Sequence, residues 1–169
     1  MATNLQFIKS ASGTDVSSLS ITGFTSEYNV YAIWTPQLIQ NGNNDINSRF
    51  IDSSGNVISN SEYDYATVVM NSHSGFSQSK EVNQSQIDNV GVNDANETYG
   101  VGSTTYIFNA ADSSSFTFLL HQSVGMRDIG KLRGYKNIAV HRVAEEITGY
   151  NIYGLSGNIT ATMVLYGVK

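Results

Sequence analysis

From Asn158 to Val168 the chain places Ile159, Ala161, Met163 and Leu165 at alternate positions, with Thr160, Thr162, Val164 and Tyr166 between them. A repeat of two belongs to a pleated strand, because successive side chains there point to opposite faces. The run stops one residue short of Lys169. A terminus frays unless a sheet holds it. The sequence therefore predicts a closed β-domain that ends on its own strand.

The same period recurs along the chain. Leu5–Ile8 reads as a short first strand, Ala11–Asp15 as a turn, and Val16–Phe24 as a half-buried strand alternating Leu19 and Ile21 with serine and threonine. Tyr28–Ile39 is the longest run, with Tyr28, Val30, Ala32 and Trp34 on one face and Tyr31 and Ile33 on the other. It contains the one proline, Pro36, which cannot donate to a ladder and so belongs at a bulge, an edge or a strand end. Gln40–Asp45 is a turn, and Ile46–Ile51 with Val57-Ile58 brackets the hairpin signal Asp52-Ser53-Ser54-Gly55-Asn56. Glu62–Asn71, Ser103–Ala110, Ser115–Gln122, Tyr135–Val143 and Tyr150–Leu155 read as further strands. Ser72–Gly102 and Ser123–Gly134 read as long loops, the first holding one or two short strands near Gln86–Val90. Ala144-Glu145-Glu146 could start a helical turn, but Gly149 follows too soon for a long helix.

Eight to ten short strands with turn signals between them indicate a sandwich or barrel, and no repeat suggests a solenoid or propeller. The reading is all-β: an antiparallel β-sandwich of jelly-roll type, residues 1–169 forming a single domain. Its expected core includes Leu19, Ile21, Val30, Trp34, Phe50, Val69, Phe108, Phe118, Val140 and Met163.

Composition narrows the function classes. The chain has no cysteine, so it suits a reducing compartment and offers no thiolate metal ligands. No signal peptide and no membrane span are visible, so folding in a cytoplasm is expected. The net charge of −5 does not suit a phosphate backbone. The one basic cluster, Arg127, Lys131, Arg133, Lys136 and Arg142, is broken by Asp128 and followed by Glu145 and Glu146. It reads as a solvated edge. No nucleic acid and no membrane are expected as partners.

Motifs for chemistry are missing by spacing, not by residue type. His73, His121 and His141 form no H-x-x-x-H pattern, although His121 and His141 could be neighbours across a sheet. Ser123-Val124-Gly125 lacks the first glycine of a nucleophile elbow, and Gly149–Gly154 lacks the lysine of a phosphate loop. Glu62, Asp64, Glu81, Glu97, Glu145 and Glu146 show no pairing that marks them as glycosidase carboxylates. Asn41, Asn43, Asp45 and Asn47 could offer oxygens to calcium, but the run has no distal bidentate Glu and reads first as turn chemistry. The sequons at Asn83, Asn96 and Asn158 read as chance in an Asn/Ser/Thr-rich chain. The expectation is no catalytic centre, no cofactor and no metal. Tyr28, Tyr63, Tyr65, Tyr150 and Tyr153 are candidate contacts at a subunit interface.

Several segments together carry a likeness. Leu19–Ile33, Asn47–Gly55 with Glu62–Ala66, Gly102–Asn109, and the closing Gly157–Val168 resemble, in order, the strand-and-turn units of small tailed-phage virion proteins. These are β-sandwich accessory proteins, often of marine or cyanobacterial phages. The resemblance implies a non-enzymatic structural component of a virion: a capsid decoration, head fibre or tail-associated protein. It would act through contacts with other virion proteins and form a homo-oligomer, with a trimer the first expectation. The alternative is a receptor- or glycan-binding tip domain of a tail fibre. The irregular segments Ser72–Gly102 and Ser123–Gly134 are the expected contact loops.

Overall fold

The computed structural model describes residues 4–41, 45–91, 100–127 and 131–169. Among them are twelve strands and no helix: β1 (Leu5–Val16), β2 (Ser18–Thr22), β3 (Val30–Gln40), β4 (Ile46–Asp52), β5 (Tyr63–Asn71), β6 (Gly75–Gln84), β7 (Ile87–Gly91), β8 (Val101–Phe108), β9 (Thr117–Arg127), β10 (Lys131–His141), β11 (Ile147–Gly154) and β12 (Ile159–Val168). They form two antiparallel sheets. The large sheet runs β1-β12-β3-β8-β9-β10-β5-β6 and the small one β2-β11-β4-β7.

This is a jelly roll with two additions. The half-sheet β1-β12-β3-β8 faces β2-β11-β4-β7, and the chain crosses between sheets from β1 to β2, β2 to β3, β3 to β4, β7 to β8 and β11 to β12. That is the eight-stranded double Greek key. The hairpin β5–β6 is inserted between the paired strands β4 and β7. The hairpin β9–β10 is inserted in the crossover from β8 to β11. The insertions pair with each other through β10 and β5, and they double the width of one sheet.

The closing strand follows its sequence pattern: Ile159, Ala161, Met163 and Leu165 are buried. Pro36 lies at a register break on both sides of β3, between Thr35 and Leu38 against β8 and opposite Thr162–Val164 of β12. A bulge is what lets a central strand hold a proline. The hairpin turn after β4 closes as expected. Both Ser54 N–H and Asn56 N–H donate to Asp52 Oδ1 at 2.8 Å, and Gly55 takes a φ of 84°. Those bonds, the Asn56 N–H foremost, hold the Asp52 carboxyl below its usual range.

Other expectations are corrected. Leu5–Val16 is one twelve-residue strand, since β12 offers a partner along its whole length; the expected turn at Ala11–Asp15 is only a register shift after Gly13. Ala144–Glu146 forms no helical turn. The first expected loop holds β6 and β7, with β7 where a short strand was anticipated. The second is the facing ends of β9 and β10, paired from Arg127 with Lys131 inward. These segments read as loops because Ser, Gly, Asn and Gln alternate there with few apolar residues, yet long-range pairing overrides weak propensity. Residues 92–99 of the first segment and 128–130 of the second lie outside the described residues.

Candidate interaction surface

The core lies between the two sheets, with Tyr31, Tyr63, Tyr135, Tyr150 and Phe50 its largest fully buried side chains. The inner face of the large sheet also carries much polarity: Thr67, Thr105, Thr117, His121, Asn137 and His141 are all buried. Asn137 and two tyrosines beside these groups reach polar partners across the interior. Asn137 Nδ2 donates to the Asp88 carbonyl at 2.6 Å, linking β10 to β7. Tyr65 donates its hydroxyl to the Asp88 carboxylate at 2.6 Å. The Tyr63 hydroxyl accepts from Phe50 N–H at 3.0 Å and donates to the Ile58 carbonyl at 3.2 Å. Such bonds offset the cost of burying a polar group, and here they tie the inserted hairpins to the small sheet.

Burial shapes the ionisation of this interior. It drives the His121 imidazole down to about 3, so the ring is neutral at pH 7; Nδ1 lies 2.8 Å from Thr105 Oγ1. Burial pushes Tyr150 up to about 12, and raises Tyr63 and Tyr65 further. Of the tyrosines expected at an interface, Tyr28, Tyr63, Tyr65 and Tyr150 are therefore core residues. Tyr153 is half-buried on the small sheet, where it sits 4.8 Å from the Arg49 guanidinium and donates to Gln86.

The opposite face of the large sheet is the unexpected one. Trp34 is 40% exposed, Phe118 44% and Ile138 56%. Trp34 and Phe118 are expected in the core and lie outside it; Val30, Phe108 and Val140 share their outward face and are only half-buried. Cross-strand register organises this face into rows. One passes through Val168, Val30, Phe108, Phe118 and Val140. The next passes through Phe7, Tyr166, Ala32, Tyr106, Leu120 and Ile138, ending at Ala66. A third mixes Val164, Trp34 and Val68 with Thr104, Gln122 and Lys136. Trp34 packs on Tyr166 with ring centroids 4.8 Å apart, and Phe7 meets Tyr166 edge-on at 6.0 Å. Grooves cross the face. One of about 500 Å³ is lined by Ala66, Val82, Phe118, Ile138 and Val140, and another of about 650 Å³ runs past Trp34, Met70 and Val124. A solvated sheet face alternates with polar residues; a contiguous apolar face of this extent marks an interaction site.

The groups singled out for chemistry are dispersed. His121 is opposite Asn137, and His141 is opposite Thr117, so the two histidines are not a cross-strand pair. His141 instead sits with two carboxylates: Nε2 is 3.1 Å from Glu62 Oε2 and 3.5 Å from Glu145 Oε1. These three ligand-type atoms lie within 4.8 Å of one another. The His-x-x-x-Glu spacing is the sequence signal for two of these three residues. A histidine–carboxylate bridge accounts for the distances, and it pins the end of β10 to the approach to β5, where Arg142 N–H also donates to the Glu62 carbonyl. The calcium candidates do not converge. Asn41 Oδ1 accepts from Asn158 N–H at 2.7 Å, Asn47 is buried in β4, and Asn43 lies outside the described residues. The basic run divides as well. Arg142 pairs with Asp64 at 3.1 Å, Arg133 donates to the Tyr135 hydroxyl, and Lys136 is on the outer face.

No protein-family model matches the sequence, and no curated protein matches it. Among solved structures, the chain is similar to the crystal structure of Caenorhabditis elegans galectin LEC-6, with a TM-score of 0.38 and 10% identity over 97% of this chain and 96% of that one.

Proposed function

We propose that the chain is a non-enzymatic structural protein that works through protein–protein contacts, as a component of a tailed-phage virion. The observation that supports a contact role is the apolar outer face of the eight-stranded sheet. The virion setting comes from the sequence resemblance. Two inserted hairpins widen a jelly-roll sheet on one side only, and the widened sheet turns aromatic and aliphatic rows outward. Such a face is costly to leave in water and gives a partner a broad, rigid platform. The jelly roll is the scaffold, and the contact is its work.

The test is occupancy. Phage particles produced with Ile138→Lys should carry much less of the protein than wild-type particles, measured by quantitative mass spectrometry of purified virions. Unchanged occupancy would contradict the role of this face. A fibre-tip protein would instead keep its occupancy and lose adsorption to host cells. The non-enzymatic part is tested by a screen of esterase, glycosidase and phosphatase substrates, where turnover abolished by one Ser, His or Glu substitution would overturn it.

A further inference from the structure

We propose that the outer face of the large sheet is covered by further copies of this same chain, closing a homo-oligomer. This rests on the contact role above and names the partner.

Size is the first argument. Seven strands from β1 to β5 span six inter-strand spacings, about 29 Å at about 4.8 Å each. The three rows and a fourth through Val124, Gly134 and Met70, about 7 Å apart, span three gaps, roughly 20 Å in the other direction. The footprint is about 600 Å² before side-chain relief. A stable protein–protein interface takes about 800 Å² from each partner, so this one face is of the right size.

Charge is the second. A surface that meets its own copy cannot carry a strong excess of one sign, because it would meet that same sign. The chain has 14 acidic residues and a net charge of −5. Yet the three described rows contain one acidic residue, Asp64 at their β5 end, already paired with Arg142. Lys136 lies in the third row, the second runs on from Ala66 to Lys80, and Asp64, Lys80 and Glu81 meet at the β5–β6 end of the groove, so the few charges here are of both signs. The excess negative charge lies elsewhere, so copies approach through this face with little repulsion. A partner recognised by charge would need the opposite arrangement.

The third argument is the sheet edge. β6 is an exposed edge strand, a template for strand-by-strand growth. It carries Lys80 and Glu81 and bends at Asn83, which has a φ of 57°. Charges and an irregular backbone of this kind blunt edge pairing. The opposite edge strand, β1, carries Lys9 and breaks register twice against β12. With both edges blunted, the face is left for association, and face contacts between copies close into symmetric assemblies.

The experiment is light scattering coupled to size exclusion on the full chain, from tens of micromolar down to below one micromolar. The expected mass is two or three times the 18.4 kDa chain. Ile138→Lys and Tyr106→Lys should each weaken assembly by about 30-fold or more, as residues central to an interface do. Leu155→Lys, at an exposed apolar residue between β11 and β12, should change nothing. Circular dichroism confirms that each variant keeps its β spectrum. A wild-type monomer at tens of micromolar would overturn the proposal without any variant, as would an oligomer that both face variants leave intact. A monomer whose Ile138→Lys variant still loses virion occupancy would sink self-association and leave the contact role standing. An oligomer that never enters particles would do the reverse.

Discussion

The two faces of the large sheet differ in a way that hydrophobicity alone does not predict. The inner face of β9 presents Thr117, Leu119, His121 and Ser123, all buried, while its outer face presents Phe118, Leu120 and Val124. On β8 the inner pair is Thr105 and Ile107 and the outer pair Tyr106 and Phe108. The more polar face is inside because the small sheet packs on it; Asn137 and Tyr65 reach Asp88 there, while Thr117 Oγ1 and Ser123 Oγ are buried without a partner among the described residues. The more aromatic face is outside, and no third layer covers it among the described residues. A jelly roll needs two layers; the outward rows are what the proposed assembly would cover with a third.

If the inner face carries the folding energy and the outer face the assembly, substitutions on the two should separate. The largest effect is expected inside. Phe50 is fully buried against Tyr63, Tyr150 and His141, and Phe50→Ala should cost about 3–5 kcal/mol through lost burial and a residual cavity. Equilibrium urea unfolding measures this; a cost below about 1 kcal/mol would mean that the core is elsewhere.

Next is Gly167, where an added Cβ would come 2.5 Å from the Tyr28 ring. Gly167→Ala forces that aromatic off the sheet and should cost about 1–3 kcal/mol as overpacking does. Retained stability in the same unfolding experiment would show that the Tyr28 ring is free to move.

The interior histidine sharpens the contrast through pH. His121 has a folded-state pKa of about 3 against 6.5 in the unfolded chain. Between those values the unfolded state binds more protons, so stability rises with pH and falls on acidification below about 6.5. The slope approaches about 1.4 kcal/mol per pH unit well below 6.5. Unfolding at pH 7 and pH 5 should show this loss, and His121→Asn should flatten it. An equal slope in the variant would assign the acid sensitivity to other groups.

The smallest effect is expected outside. Phe118→Ser should change monomer stability by no more than about 0.5 kcal/mol when measured at dilutions that dissociate any assembly. A loss of several kcal/mol would make the outer face part of the fold and end the separation of roles.

Much of the fold is legible in the residues. Period-two alternation marks the strands from β3 to β5 and from β8 to β12, Pro36 marks a bulge, and the Asp52–Asn56 turn closes as written. What alternation does not tell is which face is buried. On β3 and β9 both faces are apolar enough to pass for core, so Trp34 and Phe118 were placed inside. The covering sheet decides, and its position depends on pairings far apart in sequence. β6 was hidden for a related reason. It is a polar ribbon with nothing packed over it, and only its partner β5 makes it a strand. The proposed interaction surface is legible only in kind, in a chain that uses Tyr, Thr and Asn more freely than Lys and Glu. Of the five tyrosines read as candidate contacts, Tyr28, Tyr63, Tyr65 and Tyr150 are inside and Tyr153 is half-buried on the small sheet, while Tyr106 and Tyr166 stand on the outer face. Alternation had put the right residues on a common face; only the sign of that face was reversed.

Trp34 is the single tryptophan of the chain and stands on the third row of the outer face. Its fluorescence therefore reports that face alone. The account predicts blue-shifted emission shielded from acrylamide at tens of micromolar. Dilution into the nanomolar range, or the Ile138→Lys substitution, should shift the emission to the red and open the ring to the quencher. Red-shifted, freely quenched emission at every concentration, in wild-type protein and in purified particles alike, would contradict the claim that this face is an interface.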